Sequence, residues 1–245
     1  MKKFVGIIPA RYASTRFPGK PLIDIAGKSM IERVYEQAVK SEVLSDVIVA
    51  TDHEDIQRKV QSFGGNVCLT SAAHPSGTDR CAEVLEKMSL ACDGLINIQG
   101  DEPFIDPRQI DLLCSCFDDP RTELATIIRE ITSNEILFNP NAPKVIVDHN
   151  GFAIYFSRHP LPFIRGQKED QWLGKHTFYQ HVGIYGYRPD ILRRITVLPP
   201  SPLEKAEALE QLRWIENGFK IKTAITTFDT VSIDTPEDLR RILGS

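Results

Sequence analysis

No apolar run in the 245 residues approaches the roughly 18–20 that a membrane-spanning helix needs, so nothing in the sequence inserts the chain into a bilayer. Basic residues are not in excess either. The 29 Lys and Arg stand against 33 Asp and Glu, a net charge of −4, which removes the electrostatic basis for binding a nucleic acid. The five cysteines, Cys68, Cys81, Cys92, Cys114 and Cys116, are odd in number and form no C-x-x-C pair, which argues against a disulfide framework and a zinc knuckle. They read as reduced thiols of a cytoplasmic protein, with Cys114 on an apolar stripe of Ile110, Leu113 and Phe117. No secretory leader is expected: Phe4 to Ile8 follows Met1-Lys2-Lys3, but Pro9 and Arg11 cut the apolar stretch short, and a first strand fits better.

What remains is the material of a globular α/β protein. A chain of this length, 42% hydrophobic and 25% charged, can bury roughly 70–75% of its unfolded surface without metal or disulfide staples. The first 117 residues alternate short β-branched runs (Phe4 to Pro9, Val47 to Thr51, Asn66 to Leu69, Leu95 to Gln99) with stretches of helical period. Met30, Ile31, Val34, Tyr35, Ala38 and Val39 form one helical face and Ile56, Val60 and Phe63 another, with Gly64-Gly65 as its C-terminal cap and Thr51 and Glu54 as a candidate capping box at its start. Asp106-Pro107, Ser201-Pro202 and Thr235-Pro236 each put a capping oxygen before a proline and so predict helix starts. After Glu123 the pattern changes to a strand over Leu124 to Ile131 and a hairpin of Lys144 to Asp148 and Ala153 to Phe156 around His149-Asn150-Gly151. Residues Ser157 to Lys175 lack a period and read as a long loop or an interface arm. The expected architecture is Rossmann-like: a mixed, mostly parallel central sheet flanked by helices, in a single domain over 1–245 whose halves meet at about residue 120.

Three groups of residues invite a chemical reading. Directly after the first strand, Arg11, Arg16 and Lys20 fall within ten residues, and in an open α/β sheet this is the crevice side where ligands bind. They suit a polyphosphate held by side chains, since neither a Walker loop nor G-x-G-x-x-G is present; the alternative is a solvated basic turn. Two acids, Asp101 in Gln99-Gly100-Asp101-Glu102-Pro103 and Asp234 in Ser232-Ile233-Asp234-Thr235-Pro236, stand where a strand meets a turn. Together they could hold magnesium, which takes one or two protein carboxylates and leaves its other positions to phosphate and water, or they could be a turn former and a helix-start acid. His74-Pro75-Ser76-Gly77-Thr78-Asp79-Arg80 offers a bulk-free turn for reading a base edge, or a capped helix start. Arg158, His181, Tyr185, Glu210 and Gln211 are a set that fits a polyhydroxylated acid, or singly a core aromatic, a buried histidine and surface charges.

These motifs in this order resemble one family, the 3-deoxy-manno-octulosonate (Kdo) cytidylyltransferases. The resemblance runs over essentially the whole chain: Ile7-Ile8-Pro9-Ala10-Arg11, Pro18-Gly19-Lys20-Pro21-Leu22, Val49-Ala50-Thr51-Asp52, Ser76-Gly77-Thr78, Gln99-Gly100-Asp101-Glu102-Pro103, Phe138-Asn139-Pro140-Asn141, Tyr155-Phe156-Ser157-Arg158, Leu209-Glu210-Gln211-Leu212-Arg213 and Asp234-Thr235-Pro236-Glu237-Asp238. Asp79 stands where the family usually has Glu, and Val231-Ser232 where it usually has Gly. The resemblance implies a nucleotide-diphospho-sugar transferase fold, CMP transfer from CTP to Kdo with Mg2+, a place in lipopolysaccharide synthesis, a cytoplasmic location and a homodimer. It implies a nucleotide-binding first half (about 1–120) and a sugar-binding and dimerising second half (about 121–245). By position, Arg11, Ser14, Arg16 and Lys20 would hold the triphosphate and Ser76, Gly77, Arg80 and Gln99 the cytidine. Asp101 and Asp234 would bind the metal and, with Lys20 and Arg16, carry catalysis; Arg158, His181, Tyr185, Glu210 and Gln211 would recognise Kdo. The alternatives to weigh are another sugar acid as acceptor, such as 8-amino-Kdo or a sialic acid, and a non-catalytic nucleotide-binding protein.

Overall fold

The computed structural model describes residues 2–13, 17–229, 232–233 and 235–243, with side chains to residue 241. In chain order the strands are β1 Phe4–Ala10, β2 Asp24–Ile25, β3 Lys28–Ser29, β4 Leu44–Thr51, β5 Asn66–Leu69, β6 Gly94–Asn97, β7 Leu124–Glu130, β8 Lys144–Val147, β9 Ala153–Ser157, β10 Tyr179–Tyr187 and β11 Ile221–Thr226. The helices are α1 Met30–Ala38, α2 Glu54–Ser62, α3 Gly77–Lys87, α4 Pro107–Ser115, α5 Asn134–Phe138, α6 Pro189–Thr196, α7 Pro202–Glu207, α8 Gln211–Glu216 and α9 Pro236–Leu243. They form two compact units, one of Met1–Cys114, Gly186–Thr196 and Phe228–Ser245, the other of Ser115–Tyr185 and Val197–Thr227.

In the first unit β1 lies between β6 and β4, and β4 pairs with β5, all in parallel: Ile7 stands opposite Asn97 on one side and Ile48 on the other. A strand paired on both edges and covered on both faces must be apolar nearly throughout, which is why Phe4, Val5, Ile7 and Ile8 run almost without interruption and are all buried. Helix α1 turns Met30, Ile31, Val34 and Ala38 inward, and Ser29 caps it by accepting the Glu32 N–H at 3.4 Å. Helix α2 closes on a Schellman turn: Gly64, at φ 79°, donates to Gln61 and Gly65 donates to the Val60 carbonyl at 3.0 Å. Its start differs from the capping box expected of Thr51 and Glu54. Thr51 is the last residue of β4, and the cap is His53, whose Nδ1 accepts the Asp55 N–H at 3.2 Å. The strand ends at Thr51, as the sequence pattern suggests, but the first helical residue is Glu54, so the residue directly before it, His53, takes the capping position.

The second unit pairs β7 with β11 in parallel and β8 with β9 as the expected antiparallel hairpin, with Gly151 at φ 75°. Strand β8 also meets the start of β10, Val145 opposite Tyr179. The stretch read as a loop or arm contains a 3-10 turn over Glu169–Gly174, and Trp172, only 1% exposed, packs with Ile131, Leu137 and Phe178. Burying one large aromatic ring anchors this segment where hydrophobic periodicity offers no signal.

One close approach fixes the crevice side of the first unit. A Cβ on Gly100 would lie 2.7 Å from the carbonyl oxygen of Pro9, so the turn after β6 can sit against the end of β1 only because residue 100 has no side chain. Gly100→Ala is expected to destabilise the fold by about 2 kcal/mol and lower Tm by roughly 4–8 °C. Gly174→Ala, which would meet nothing within 4 Å, is the control that should leave Tm unchanged; equal melting of the two variants in a thermal scan would refute the constraint.

Candidate active site

Beyond the carboxyl ends of β1 and β6 the first unit opens into a cleft of about 310 Å³ lined by Pro9, Ala10, Arg11, Lys20, Pro21, His74, Pro75, Ser76, Gly77, Arg80, Gln99, Gly100 and Asp101. Arg11, Lys20, Ser76, Gly77, Arg80, Gln99 and Asp101, from four separate sequence motifs, thus line one surface. Ser14, Arg16 and Asp234 lie outside the described residues.

The centre of the cleft is an ion pair. Lys20, at the start of a 3-10 turn preceded by Gly19 at φ 70°, sets its Nζ 2.7 Å from Asp101 Oδ2, with side chains 14% and 28% exposed. Asp101 is held from behind, since its carbonyl accepts the N–H of Ile233 at 2.9 Å and Ile233 is sealed in a core of Ile25 and Met30. The chain segment that leads into Asp234 is therefore pinned to Asp101. Asp101 is the one carboxylate among the described lining residues, and its hard oxygens suit magnesium rather than a soft metal.

A second pair braces the cleft wall. Arg80, 3% exposed, donates through Nη2 to Asp52 Oδ2 at 3.1 Å and through Nη1 to Thr70 Oγ1. Asp52 Oδ1 in turn accepts the Tyr12 N–H at 3.3 Å, and the Tyr12 ring stacks on His53 at 4.0 Å. Arg80 thereby ties the loops after β1, β4 and β5 to one guanidinium. Ser76 caps α3, accepting the Asp79 N–H at 3.3 Å and donating to Asp79 Oδ2 at 2.6 Å, so the capped helix start and the cleft lining are one feature. The sequence reading gave Asp52 and His74 no role. An acid directly after β4, comparable to Asp101 in the turn beyond β6, is a usable signal for the first, whereas His74 depends on Glu83, nine residues on, and has none.

In the second unit His181 places Nε2 3.0 Å from Thr126 Oγ1 and packs its ring against Phe156 and Tyr185, with centroids at 5.1 and 5.2 Å. Tyr185 meets Trp214 of α8 edge-on at 5.2 Å. On the same helix Gln211, 4% exposed, has an amide nitrogen with no hydrogen-bond partner among the described residues. Glu210 lies 3.8 Å from the Arg213 guanidinium. Arg158 spends much of its capacity on backbone, donating to the carbonyls of Glu207 (2.7 Å), Pro140 (2.9 Å) and Ala208 (3.2 Å), and so clamps the left-handed turn between α7 and α8 that carries Glu210 and Gln211. Burial pushes the His181 imidazole down to about 3, so it is neutral at any physiological pH.

The His74 to Ser76 turn carries a pH signature. Burial pushes the Glu83 carboxyl up, but hydrogen bonds from Lys87, from the Ser71 N–H and from His74 outweigh it and bring it from 4.5 to about 2. A carboxylate held below its unfolded value adds stability that is present above about pH 4.5 and lost as the pH falls toward 2. Glu83→Gln should therefore cost about 2 kcal/mol at pH 7, with the gap between mutant and wild type narrowing below pH 4.5; a gap independent of pH in urea titrations would contradict this.

The chain matches the cytidylyltransferase family model over residues 5–222. It is 55% identical to a 3-deoxy-manno-octulosonate cytidylyltransferase of Parabacteroides distasonis, covering 100% of this chain and 98% of that protein. Against the protein of that name from Cytophaga hutchinsonii it is 57% identical, covering 97% and 95%. A solved structure of a CMP:2-keto-3-deoxy-manno-octonic acid synthetase complexed with CTP superposes with a TM-score of 0.91 at 43% identity, covering 99% of this chain and 97% of that one. The fold is accordingly that of the nucleotide-diphospho-sugar transferases, as the motifs implied. The chain belongs to the 3-deoxy-manno-octulosonate cytidylyltransferases within the cytidylyltransferase family.

Proposed function

We propose that the protein transfers CMP from CTP to the anomeric hydroxyl of Kdo, giving CMP-Kdo and pyrophosphate. The observation that carries this reading is the cleft in which residues from four motifs of the family meet around the Lys20–Asp101 pair. In this reading Arg11 and Lys20, with Ser14 and Arg16, hold the triphosphate, while Ser76, Gly77, Arg80 and Gln99 surround the cytidine. Arg80 and Ser76 do so from fixed positions, because each is already bonded to a neighbour that orients it. Kdo is met by His181, Tyr185, Glu210 and Gln211, with Arg158 holding the turn on which the last two sit. The protein acts as a cytoplasmic homodimer feeding lipopolysaccharide synthesis, a reading supported by the family resemblance.

The chemistry is a direct displacement. The anomeric oxygen of Kdo forms a bond to the α-phosphorus, the bond from that phosphorus to the bridging oxygen of pyrophosphate breaks, and the hydroxyl proton passes to solvent. Ser76 Oγ is engaged with Asp79, which leaves the cleft to position and neutralise rather than to attack. Magnesium, when bound, supplies positive charge for the phosphates; Asp101 and Asp234 would hold it, the first with hard oxygens lining the cleft and the second as the residue that follows Ile233 in the sequence. Lys20 adds a fixed cation against the charge that builds on the α-phosphate and leaving group.

Pyrophosphate release from CTP with magnesium should require Kdo and fail with UTP; release without Kdo, or equal release from UTP, would exclude this activity. Lys20→Ala should lower kcat by about a hundredfold with a smaller change in the KM for CTP. Unchanged turnover in a folded mutant would take Lys20 out of the chemistry.

A further inference from the structure

The surroundings of His181 settle which of its nitrogens carries the proton. Thr126 lies on β7 and is fully buried, and its Oγ1 is 2.8 Å from the carbonyl oxygen of Ile184, 3.2 Å from that of Val182 and 3.0 Å from His181 Nε2. A hydroxyl has one proton to give, and a carbonyl can only accept. If Thr126 donated to the imidazole, two oxygens bearing only lone pairs would face each other at 2.8 Å, a repulsive arrangement in a buried setting. The hydroxyl proton therefore goes to a carbonyl, and Oγ1 accepts from Nε2–H. That leaves the lone pair on Nδ1, which has no hydrogen-bond partner among the described residues.

We propose that Thr126 is a positioning residue that locks His181 in its neutral Nε2–H tautomer, so that Nδ1 accepts a hydrogen bond from a hydroxyl of the sugar acid instead of pairing with its carboxylate. The inference rests on the reading of His181 as a sugar contact and deepens it. A donor for the acid's oxygens is present on the same aromatic wall: Tyr185 connects the imidazole to Trp214 on α8, and Gln211 of that helix keeps a buried amide nitrogen without a partner among the described residues. Acceptor and donor are thus separate groups, and an uncharged acceptor discriminates by the presence of a hydroxyl in a way that an ammonium or guanidinium does not. His181 is kept from the imidazolium form by burial, which would otherwise turn Nδ1 into a donor.

The test combines ring 15N NMR of the full-length protein with kinetics. Wild type should show the Nε2–H tautomer between pH 5.5 and 8, and added Kdo should shift Nδ1 in the direction of an accepted hydrogen bond while Nε2 stays protonated. Thr126→Val should mix the tautomers and raise the KM for Kdo on the order of tenfold with the KM for CTP unchanged, and Thr126→Ser should restore both. An Nδ1–H or imidazolium spectrum in wild type, or a valine variant with unaltered ring signals, would overturn the positioning role. If His181→Ala leaves the KM for Kdo unchanged, the sugar contact fails and the acceptor role with it, although CMP transfer stands; a lost CTP response in that variant would mark it as misfolded and leave the NMR result to decide.

Discussion

The Lys20–Asp101 ion pair is the interaction around which the first unit is arranged. Eighty-one residues separate its members in the chain, and bringing them to 2.7 Å requires the loop after β1 and the turn after β6 to be placed independently and then held. Gly100 admits the turn against the Pro9 carbonyl, Ile233 pins Asp101 from the core side, and the 3-10 turn at Lys20–Leu22 delivers the ammonium. A pair this sheltered loses hydration on both charges, and the loss is acceptable only when each charge has its partner in place. The same requirement makes the pair useful. An ammonium and a carboxylate that already sit in a cleft can exchange each other for a phosphate and a cation without first paying to order themselves.

Arg80 and Asp52 repeat the device at the wall of the cleft, where the buried guanidinium has the more structural part. The second unit works in a different currency of interaction. Its candidate sugar contacts are a neutral imidazole, a phenol and a buried amide, together with the Glu210 carboxylate, which lies 3.8 Å from the Arg213 guanidinium. The two units thus suit the two halves of the proposed reaction: fixed charges for a polyanion, and mainly oriented neutral donors and acceptors, with one carboxylate, for an acid rich in hydroxyl groups.

How much of this the sequence disclosed depended on range. The β1 run, the amphipathic faces of α1 and α2, the Gly64-Gly65 end and the Ser201 helix start are consequences of neighbours within a few residues, and they stand where periodicity and capping chemistry put them, except that α1 ends at Ala38 and leaves Val39 exposed instead of on its inner face. Lys20 and Asp101 stood out as charges at strand ends, but their pairing was invisible, because nothing local records which turn faces which. Arg158 shows the limit most clearly: as a cation among polar residues it reads as a ligand contact, and nothing local discloses that three backbone carbonyls, two of them about fifty residues away, take three of its five donors. Trp172 was likewise placed in an unpatterned stretch, and its burial depends on Ile131, Leu137 and Phe178 arriving from elsewhere. The misplaced cap of α2 failed for a smaller reason, since the Thr51 hydroxyl accepts the His53 N–H at 3.3 Å just ahead of the helix and imitates a cap by sequence alone.

The central claim is that Lys20 and Asp101 act as one unit, and a double-mutant cycle tests it most directly. The rate of pyrophosphate release would be compared among wild type, Lys20→Ala, Asp101→Ala and the double variant at saturating CTP, magnesium and Kdo. The account predicts strong coupling, with the double variant no slower than the slower single one by more than a few-fold, since either substitution alone dismantles the pair. Losses that simply multiply would show two independent residues and contradict it.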